Sequence, residues 1–483
     1  MSTSKNEEEY KSGALPLRAV PGGYGVPFFG PIRDRLDFFY NQGQYRYFYS
    51  RAAKHNSTVF RTNMIPGPLC SDSHIVAACD AKSFAVVFDP SKVDKKNVLI
   101  GNLFPSVGFN GGHRILAYLD PSEPKHAQNK QVLFNIIAAR KSALIPAFFS
   151  VYSSLFDKLE AQLASSKKSN FNKLNEFSAF DYVNQAMYGR SPSESTLKAA
   201  LKWVLLQFHP ITTIGLPKLI EDPLLHLFLY PPFVARSTYR TLTDFFSDVG
   251  ASALDDAESL GLSRDEALHS LVFSTVINAY LGVRAYLNRL LKWVVSAGPE
   301  LHDRLAREIR SVVKADGGKV TLSGLERMEL TKSVVYEAFR IDPPVQVQYG
   351  RAKLDFELES HDAKYSVKEG ELICGFQPMA TRDPKVFERP EEFVPDRFVG
   401  EEGEKLLKYV VWSNGPETEA TSVANKMCAG KDVGVLVGRL MMVVVFTRYD
   451  KLEGEVGTTP EDVNVNITGL TKSEVNVVEE SAL

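Results

Sequence analysis

The stretch that decides the fold is Trp412-Ser-Asn-Gly-Pro-Glu-Thr-Glu-Ala-Thr-Ser-Val-Ala-Asn-Lys-Met-Cys-Ala-Gly430. It is a polar loop in which Cys428 comes sixteen residues after Trp412, and an apolar run that predicts a helix follows from Val433. A helix N-terminus and nearby amides lower the free energy of a thiolate, which is the form of cysteine that binds iron. A cysteine before a helix is more often structural when it stands alone, so its function depends on the rest of the chain.

A group of charged residues upstream predicts a buried cluster. Glu337 and Arg340 lie three residues apart on a helix-like run, so they share one face and can pair. Arg397, within Phe393-Val-Pro-Asp-Arg-Phe398, is predicted to close a cluster of three charges. Buried charges need such partners to offset the cost of leaving water. The charged pair, the arginine and the cysteine loop, in this order, form a much more specific pattern than any one of them.

Composition indicates one large soluble-type domain over residues 1–483 that acts on a small molecule. The chain has 483 residues, is 44% hydrophobic and contains no convincing linker, so it can bury a large core. Lys plus Arg (56) nearly balance Asp plus Glu (58), which gives no support for a nucleic-acid partner. The four cysteines show neither disulfide nor metal-ligand spacing, which fits a reducing compartment.

The hydrophobic pattern predicts a mainly helical protein with a small β subdomain. Residues 1–40 are rich in Gly and Pro and are predicted to be an extended lead-in. Residues 124–340 mostly follow helical spacing, and a long helix is predicted at about 267–297. Residues 345–376 alternate between apolar and polar, which predicts a small sheet.

No membrane-spanning segment is predicted, because the closest apolar run, 433–446, is interrupted by Arg439. The N-terminal residues lack an apolar stretch and include three consecutive acids, which argues against a transit peptide. The stretch 224–233, Leu-Leu-His-Leu-Phe-Leu-Tyr-Pro-Pro-Phe, predicts either a peripheral contact with a bilayer surface or a buried helix end. The expected location is cytoplasmic or plastid-associated, peripheral at most.

Long stretches of the chain resemble the plant cytochromes P450 that convert fatty-acid hydroperoxides. These stretches are Tyr118-Leu-Asp-Pro-Ser-Glu-Pro-Lys-His126, Leu330-Thr-Lys-Ser-Val-Val-Tyr-Glu337 and Trp412-Ser-Asn-Gly-Pro-Glu-Thr418, and the resemblance runs from about residue 15 to 475. The family comprises allene oxide synthases, hydroperoxide lyases and divinyl ether synthases, and an insertion in the cysteine loop is typical of it. The resemblance implies the cytochrome P450 fold and a haem b cofactor with Cys428 as the axial ligand of the iron.

The resemblance also implies a reaction that needs neither dioxygen nor a reductase, because the hydroperoxide substrate is its own oxidant. Homolysis of the peroxide bond gives an alkoxyl radical. This radical closes to an epoxide and leaves the unpaired electron on an adjacent carbon. Loss of an electron and a proton then gives an allene oxide, whereas chain cleavage gives aldehydes. The centre of the predicted long helix, Ile277-Asn-Ala-Tyr-Leu-Gly282, fits this chemistry, since it lacks the acid and alcohol pair that delivers protons in monooxygenases.

Several further residues match positions with known roles in the family. Asn278 corresponds to the asparagine of the distal helix that hydrogen-bonds the peroxide or the oxygen-centred intermediate, although an asparagine in mid-helix can also merely bridge helices. Four cations match positions that contact the haem propionates, where they offset two buried carboxylates, although each can equally be a solvated surface charge: Lys95, His126, Lys130 and Lys426.

The residues expected around the substrate depart from the pattern of allene oxide synthases at three positions. Where this chain has Leu99, Ala117 and Leu281, those enzymes have phenylalanine, serine and glycine, respectively. The leucine and the alanine are more typical of lyases. The third change is similar to the variation seen among divinyl ether synthases. Val347 completes the predicted pocket, together with Asn278. The segments from 330 to 431 nevertheless look closest to allene oxide synthases.

The preferred hypothesis is therefore an allene oxide synthase, that is, a hydroperoxide dehydratase of oxylipin biosynthesis. A hydroperoxide lyase or divinyl ether synthase is the alternative with the same first step. Two other classes remain open: an NADPH-dependent monooxygenase, which the missing proton relay disfavours, and a carrier of haem or lipid, which would leave the hydroperoxide intact.

Overall fold

The computed structural model describes residues 15–458 and 463–474, and it is mostly helical with four small sheets. Its chain forms two compact units. The first contains residues 15–104, Pro210–Leu229 and Val345–Pro390, and the second contains Pro105–His209, Tyr230–Pro344 and the described residues from Glu391 onward. The mainly helical class with a small β part is confirmed, and the single domain over 1–483 stays a prediction.

The first unit is built on a five-stranded mixed sheet. In spatial order its strands are Val59–Asn63, His74–Ala78, Leu372–Phe376, Val347–Ala352 and Val93–Asp94. The pair Val59–Asn63 and His74–Ala78 is antiparallel, with Val59 opposite Ala78. Aromatic side chains cover one side of the sheet, with Phe48 and Phe376 stacked at 4.1 Å between ring centroids. A second sheet joins three short strands: Leu17–Arg18, Lys364–Val367 and Phe356–Glu359.

Part of the predicted extended lead-in is helical, which corrects that prediction for residues 29–40. Phe29–Leu36 is an α-helix that continues as a wider π-turn over Asp37–Asn41. Pro31 is compatible with the helix because it lies in the first turn, where backbone N–H groups have no partner within the helix. Arg35 fixes the helix by two hydrogen bonds to Asp222, at 2.9 and 2.8 Å. Residues 1–14, which carry the predicted acidic N-terminus, lie outside the described residues.

The remaining helices of the first unit are short. They are Gln44–His55, Ala81–Phe84, Ala85–Phe88, Lys218–Glu221, Asp222–His226 and Gln377–Ala380.

The second unit is a helical mass with two small sheets. Its longer helices are Pro124–Ala139, Leu144–Ser166, Phe171–Tyr188, Glu194–Phe208, Arg236–Val249, Ala251–Ser259, Pro299–Ala315, Glu329–Ile341 and Lys431–Arg448. Its short helical turns are Val107–Asn110, Leu116–Tyr118, Lys141–Ala143, Pro232–Ala235, Leu322–Glu326, Gly400–Lys405 and Leu406–Tyr409. Its strands are Ser169–Asn170, Val411–Trp412, Gly415–Pro416, Tyr449–Thr458 and Val463–Lys472.

The long helix predicted at 267–297 extends over Arg264–Ala297 and is called the distal helix below. It begins at Ser263, whose hydroxyl caps the helix by accepting a hydrogen bond from the Glu266 N–H. Its middle, Ser274–Tyr280, has the wider π-geometry, which is rare and often marks a functional site. It ends at Gly298, whose φ of 79° suits glycine.

Length and composition alone would let one helix of the described chain cross a membrane, or two if a helix pair bent by 55° is counted. The single helix is the distal helix, and 56% of its most apolar window is buried within the protein. Its hydrophobicity is therefore accounted for by the core.

Candidate active site

The cysteine loop, residues 412–430, begins as a tight hairpin and ends at a helix. Trp412 pairs with Gly415 across the turn, and Asn414 adopts a positive φ of 65° that the turn requires. The backbone N–H of Cys428 donates to the Ser413 carbonyl at 3.1 Å, which returns the loop to its own beginning. The following helix starts at Lys431, two residues earlier than the apolar run predicts, and its N–H donates to the Cys428 carbonyl at 3.3 Å.

The Cys428 side chain is surrounded by protein and still keeps part of its surface accessible. Its residue is only half-buried, yet burial raises the pKa of the thiol, with opposing contributions from the Gly430 N–H and the Lys130 ammonium. Such a side chain lies at the edge of a cavity. A ligand can occupy a cavity of this kind. The donor is a sulfur whose thiolate is the preferred ligand of haem iron in this type of loop, so the site fits the cofactor.

The inserted part of the loop is held in place by Glu417, a residue to which sequence analysis gives no role. Its carboxylate accepts hydrogen bonds from the Trp412 indole and from the Tyr336 hydroxyl, the latter at 2.8 Å. The Lys431 ammonium donates to its backbone carbonyl at 2.8 Å. The insertion is therefore anchored to the hairpin and to two helices. No spacing rule reveals such a carboxylate in advance.

Two of the predicted cofactor-binding cations lie beneath the loop on the helix Pro124–Ala139. The Lys130 ammonium donates to the carbonyls of Asn425 and Met427, both at 2.7 Å, and burial lowers its pKa to about 8. His126 contacts the Val423 carbonyl through Nδ1 at 3.1 Å. Burial, and secondarily the neighbouring lysines, lower the pKa of His126 to about 4, so its imidazole is neutral at pH 7.

Lys426 reaches from the cysteine loop to a second loop that carries Ala117. Its ammonium donates to the carbonyls of Leu116 at 2.8 Å, Ala117 at 3.1 Å and Leu119. Burial lowers the pKa of Lys426 to about 7. The described residues form no salt bridge with Lys130 or Lys426; Asp120 and Glu123 favour the charge of Lys426 only from a distance, and a buried ammonium without a close counter-charge is costly. Two carboxylates such as those of haem would supply that counter-charge.

The distal helix presents Asn278 at the centre of its π-segment. Asn278 is exposed although Thr275 and Tyr280 beside it are buried, so it faces an opening along a core helix. Its amide makes no hydrogen bond to any residue that the structure describes, and it is therefore available to a ligand. Thr275, three residues before Asn278, shares a hydrogen bond with the Tyr188 hydroxyl at 2.6 Å. This arrangement agrees with the absence of an acid and alcohol relay.

The other predicted pocket residues are distributed over both units. Ala117 is buried in the second unit, where Leu281 is half-buried on the distal helix. The loop of Ala117 is tied to that helix, because the Leu116 N–H donates to the Ser270 hydroxyl at 3.1 Å. Leu99 and Val347 are half-buried in the first unit.

Lys95, the fourth predicted cofactor-binding cation, also belongs to the first unit. Its side chain is buried, and its ammonium donates to the Tyr349 carbonyl on the strand Val347–Ala352.

The predicted charge cluster forms with complete burial of two of its members. Glu337 and Arg340 share two hydrogen bonds, at 2.6 and 2.8 Å, and neither side chain is exposed. The Arg397 guanidinium lies 3.0 Å from both Glu337 oxygens, and the Val394 N–H donates to the same carboxylate at 2.8 Å. Glu337 thus binds two arginines and the backbone of Val394, which precedes the cysteine loop in the chain.

Known proteins match the chain over nearly its whole length. A family model described as cytochrome P450 matches residues 294–456. The chain is 56% identical to divinyl ether synthase CYP74 of Allium sativum, with 98% of this chain and 99% of that protein covered. It is 53% identical to allene oxide synthase 2 of Oryza sativa subsp. japonica, over 97% of this chain and 99% of that protein. It is 50% identical to the chloroplastic allene oxide synthase of Arabidopsis thaliana, over 95% and 90%.

Proposed function

Because the chain belongs to the cytochrome P450 family, in the group that contains these allene oxide and divinyl ether synthases, we propose that it is an allene oxide synthase. Its substrates are then polyunsaturated fatty-acid hydroperoxides, and each turnover converts a hydroperoxide to an allene oxide and water. The resemblance drawn from the motifs is confirmed, and most of the similar relatives carry this activity in their names. The observation that carries the proposal is the unpartnered Asn278 on a distal helix without a proton relay.

Each chemical requirement of this reaction has a residue to meet it. Cys428 would hold the haem through its thiolate, and the haem would supply the homolysis of the peroxide bond. Asn278 is placed to donate a hydrogen bond to a peroxide oxygen and so to orient it. His126, Lys130 and Lys426 supply donors and positive charge for the propionates, with Lys95 as a further candidate. The oxidant is the substrate itself, so no reductase is required.

Divinyl ether synthase is the second candidate, and two observations favour it. The identity with the garlic enzyme, 56%, exceeds the 53% with the rice allene oxide synthase. Leu281 also stands directly after Tyr280, where typical allene oxide synthases have glycine, and its half-buried side chain follows Asn278 by three residues on the distal helix.

One product analysis separates the candidates. Purified haem-loaded protein is mixed with linolenic acid hydroperoxide, without NADPH, while the loss of conjugated-diene absorbance is followed. Ketols and cyclopentenones would establish an allene oxide synthase, divinyl ether fatty acids a divinyl ether synthase, and short-chain aldehydes a lyase. No loss of absorbance would reject all three and leave a monooxygenase or a carrier.

Leu99 is proposed to influence product choice. Leu99→Phe should raise the fraction of ketols among the products, because an aromatic face in the pocket wall stabilises a nearby radical. The product ratio at full conversion, measured by gas chromatography with mass spectrometry, tests this expectation. Leu354→Phe is the matched control, since Leu354 is exposed on the same unit. An unchanged ratio in Leu99→Phe would show that product choice is determined elsewhere.

We also propose a peripheral membrane contact, which the sequence predicts from the stretch 224–233. The exposure of side chains in and near this stretch indicates which of them would make the contact. Leu225 and His226 in this stretch are buried, whereas Phe228 is 62% exposed. Leu219, just before it, is 88% exposed. The stretch packs beside the helix that begins at Phe29, itself 70% exposed, since Arg35 of that helix binds Asp222. We propose that the exposed apolar side chains of Phe29, Leu219 and Phe228, all in the first unit, make this contact.

Replacing Leu219 and Phe228 by serine should weaken binding to phosphatidylcholine vesicles by about a hundredfold or more, because each of the two buried apolar side chains contributes about 1.5–3 kcal/mol. Co-sedimentation of haem-loaded protein with vesicles measures the affinity. Leu354→Ser is the control, because it removes a similar exposed leucine of the same unit. Equal loss in the control and in the double variant would reject this surface.

Association with plastids is proposed from the names of similar relatives. Several similar relatives are named chloroplastic, including proteins of Solanum lycopersicum, Arabidopsis thaliana and Linum usitatissimum. The garlic and rice relatives described above, at 56% and 53% identity, are not so named. Detection of the native protein in isolated, washed plastids tests this location.

A further inference from the structure

Two histidines and an aspartate converge at the start of the distal helix. The Nε2 atom of His113 lies 2.7 Å from one Asp265 oxygen, and the Nε2 atom of His269 lies 3.5 Å from the other. The three donor atoms all lie within 4.8 Å of one another. The two imidazole rings are stacked, with their centroids 5.4 Å apart. One carboxylate is thus flanked by two imidazole nitrogens.

The fold brings these residues together from two directions. Asp265 and His269 are four residues apart on the distal helix, so they project from the same face. His113 belongs to a loop that turns back towards the helix through Gly111 and Gly112, whose φ angles of 66° and 90° suit glycine. The cluster joins this loop to the helix.

The ring of His269 is oriented so that Nε2 points into the cluster. Its Nδ1 atom lies 2.6 Å from the Tyr239 hydroxyl, which is buried beside it. A Cβ added at Gly111 would lie 1.9 Å from Nε2 and 2.3 and 2.4 Å from the two adjacent ring carbons. These distances place Gly111 over the face of the ring, so the in-plane lone pair of Nε2 stays free. Metal-binding histidines are commonly held in this way by a hydrogen bond to their second nitrogen.

We propose that His113, Asp265 and His269 bind a divalent transition-metal cation such as Zn²⁺. Imidazole nitrogens favour zinc and its neighbours over calcium or magnesium, and two histidines with one carboxylate leave a fourth position for water. Bonds of about 2.0–2.2 Å place tetrahedral donors about 3.3 Å apart, close to the 2.7 and 3.5 Å separations at Asp265. Asp265 is 70% exposed, which gives the ion access from solvent.

The bound ion would fasten the loop of His113 to the distal helix. The same loop continues to Leu116, whose N–H already donates to Ser270 one residue beyond His269. Ala117 follows directly. The metal therefore acts as a positioning element for a wall of the proposed substrate pocket.

A second cluster, Asp80, His361 and Asp383, does not share these properties. Its two carboxylates are occupied by other donors: Ser83 and Ser360 hydroxyls lie 2.8 and 2.9 Å from Asp80, and the Ala81 N–H donates to Asp383 at 2.9 Å. This cluster is accounted for as a helix cap and a link between loops.

Calorimetric titration of haem-loaded, tag-free protein with Zn²⁺ tests the proposal. Wild-type protein should bind one Zn²⁺ that His113→Gln and Asp265→Asn no longer bind measurably. Both positions are partly exposed, so these variants should fold. Tyr239→Phe should weaken the affinity about 10- to 100-fold without removing a ligand, because it frees the orientation of His269.

His74→Gln is the matched control. His74 is an exposed histidine 3.2 Å from Asp72 with no second histidine, so its loss should leave the high-affinity site unchanged. The absence of Zn²⁺ binding to the wild type, or equal binding to the wild type, His113→Gln and Asp265→Asn, would overturn the assignment.

Discussion

Cys428→Ser abolishes the conversion of fatty-acid hydroperoxide and the thiolate type of haem spectrum. The thiolate is the proposed axial ligand of the iron, and a serine hydroxyl at the same place cannot replace its charge or its electron donation. The Cys428 N–H bond to Ser413 involves only the backbone, so the loop should retain its shape in the variant. Absorbance of the ferrous carbon monoxide complex and diene loss on addition of hydroperoxide measure the two effects.

Cys70→Ser provides the matched control for this experiment. Cys70 is half-buried in the first unit, where its thiol contacts the His226 carbonyl at 3.4 Å. A serine hydroxyl can donate to the same carbonyl, so both spectrum and turnover should be retained. A thiolate-type spectrum in Cys428→Ser, or its loss in Cys70→Ser, would remove Cys428 from the proposed role.

Glu337→Gln should lower the free energy of unfolding by about 3–5 kcal/mol. The substitution preserves the shape of the side chain but removes the carboxylate that the buried guanidinium groups of Arg340 and Arg397 both contact, which is the costly way to break a buried ion pair. It also replaces an acceptor of the Val394 N–H by a weaker one. Urea denaturation of the haem-loaded protein, followed by circular dichroism, measures the loss.

The control for the charge cluster is Glu402→Gln. Glu402 pairs with Lys405 at 2.6 Å, but both side chains are largely exposed. Screening by water makes such pairs nearly neutral for stability, so little or no loss is expected. Similar stability of wild-type protein and Glu337→Gln would show that the buried charges have other partners sufficient to hold them.

The sequence predicts the parts of this protein that follow from local chemistry. Glu337 and Arg340 are found from their helical spacing, and the cysteine loop from its position before an apolar helix. The distal helix is likewise visible as a long apolar pattern. In each case the determining contacts lie close together along the chain, so that a periodicity or a short motif reports them.

Contacts between distant segments account for what the sequence does not predict. Glu417 binds Tyr336 across 81 positions, and the helix at Phe29 is fixed by Arg35 and Asp222, 187 positions apart. The π-geometry around Asn278 has no spacing signature of its own, and Ser274–Tyr280 looks like ordinary helix in the sequence. The partners of Lys426 are backbone carbonyls, which carry no side-chain identity to recognise.

The hydrogen bonds from Lys130 and Lys426 to backbone carbonyls link three segments of the chain. We expect these segments to separate from one another only together. Lys130 joins the helix Pro124–Ala139 to the cysteine loop, and Lys426 joins that loop to residues 116–119. Separating any one segment would leave an ammonium or several carbonyls in a dry environment without partners. We therefore expect exchange of the cofactor to involve local unfolding of all three segments, and amide hydrogens in these segments should exchange with solvent at a common rate. The rate at which the cofactor is lost should therefore depend on Lys130 and Lys426.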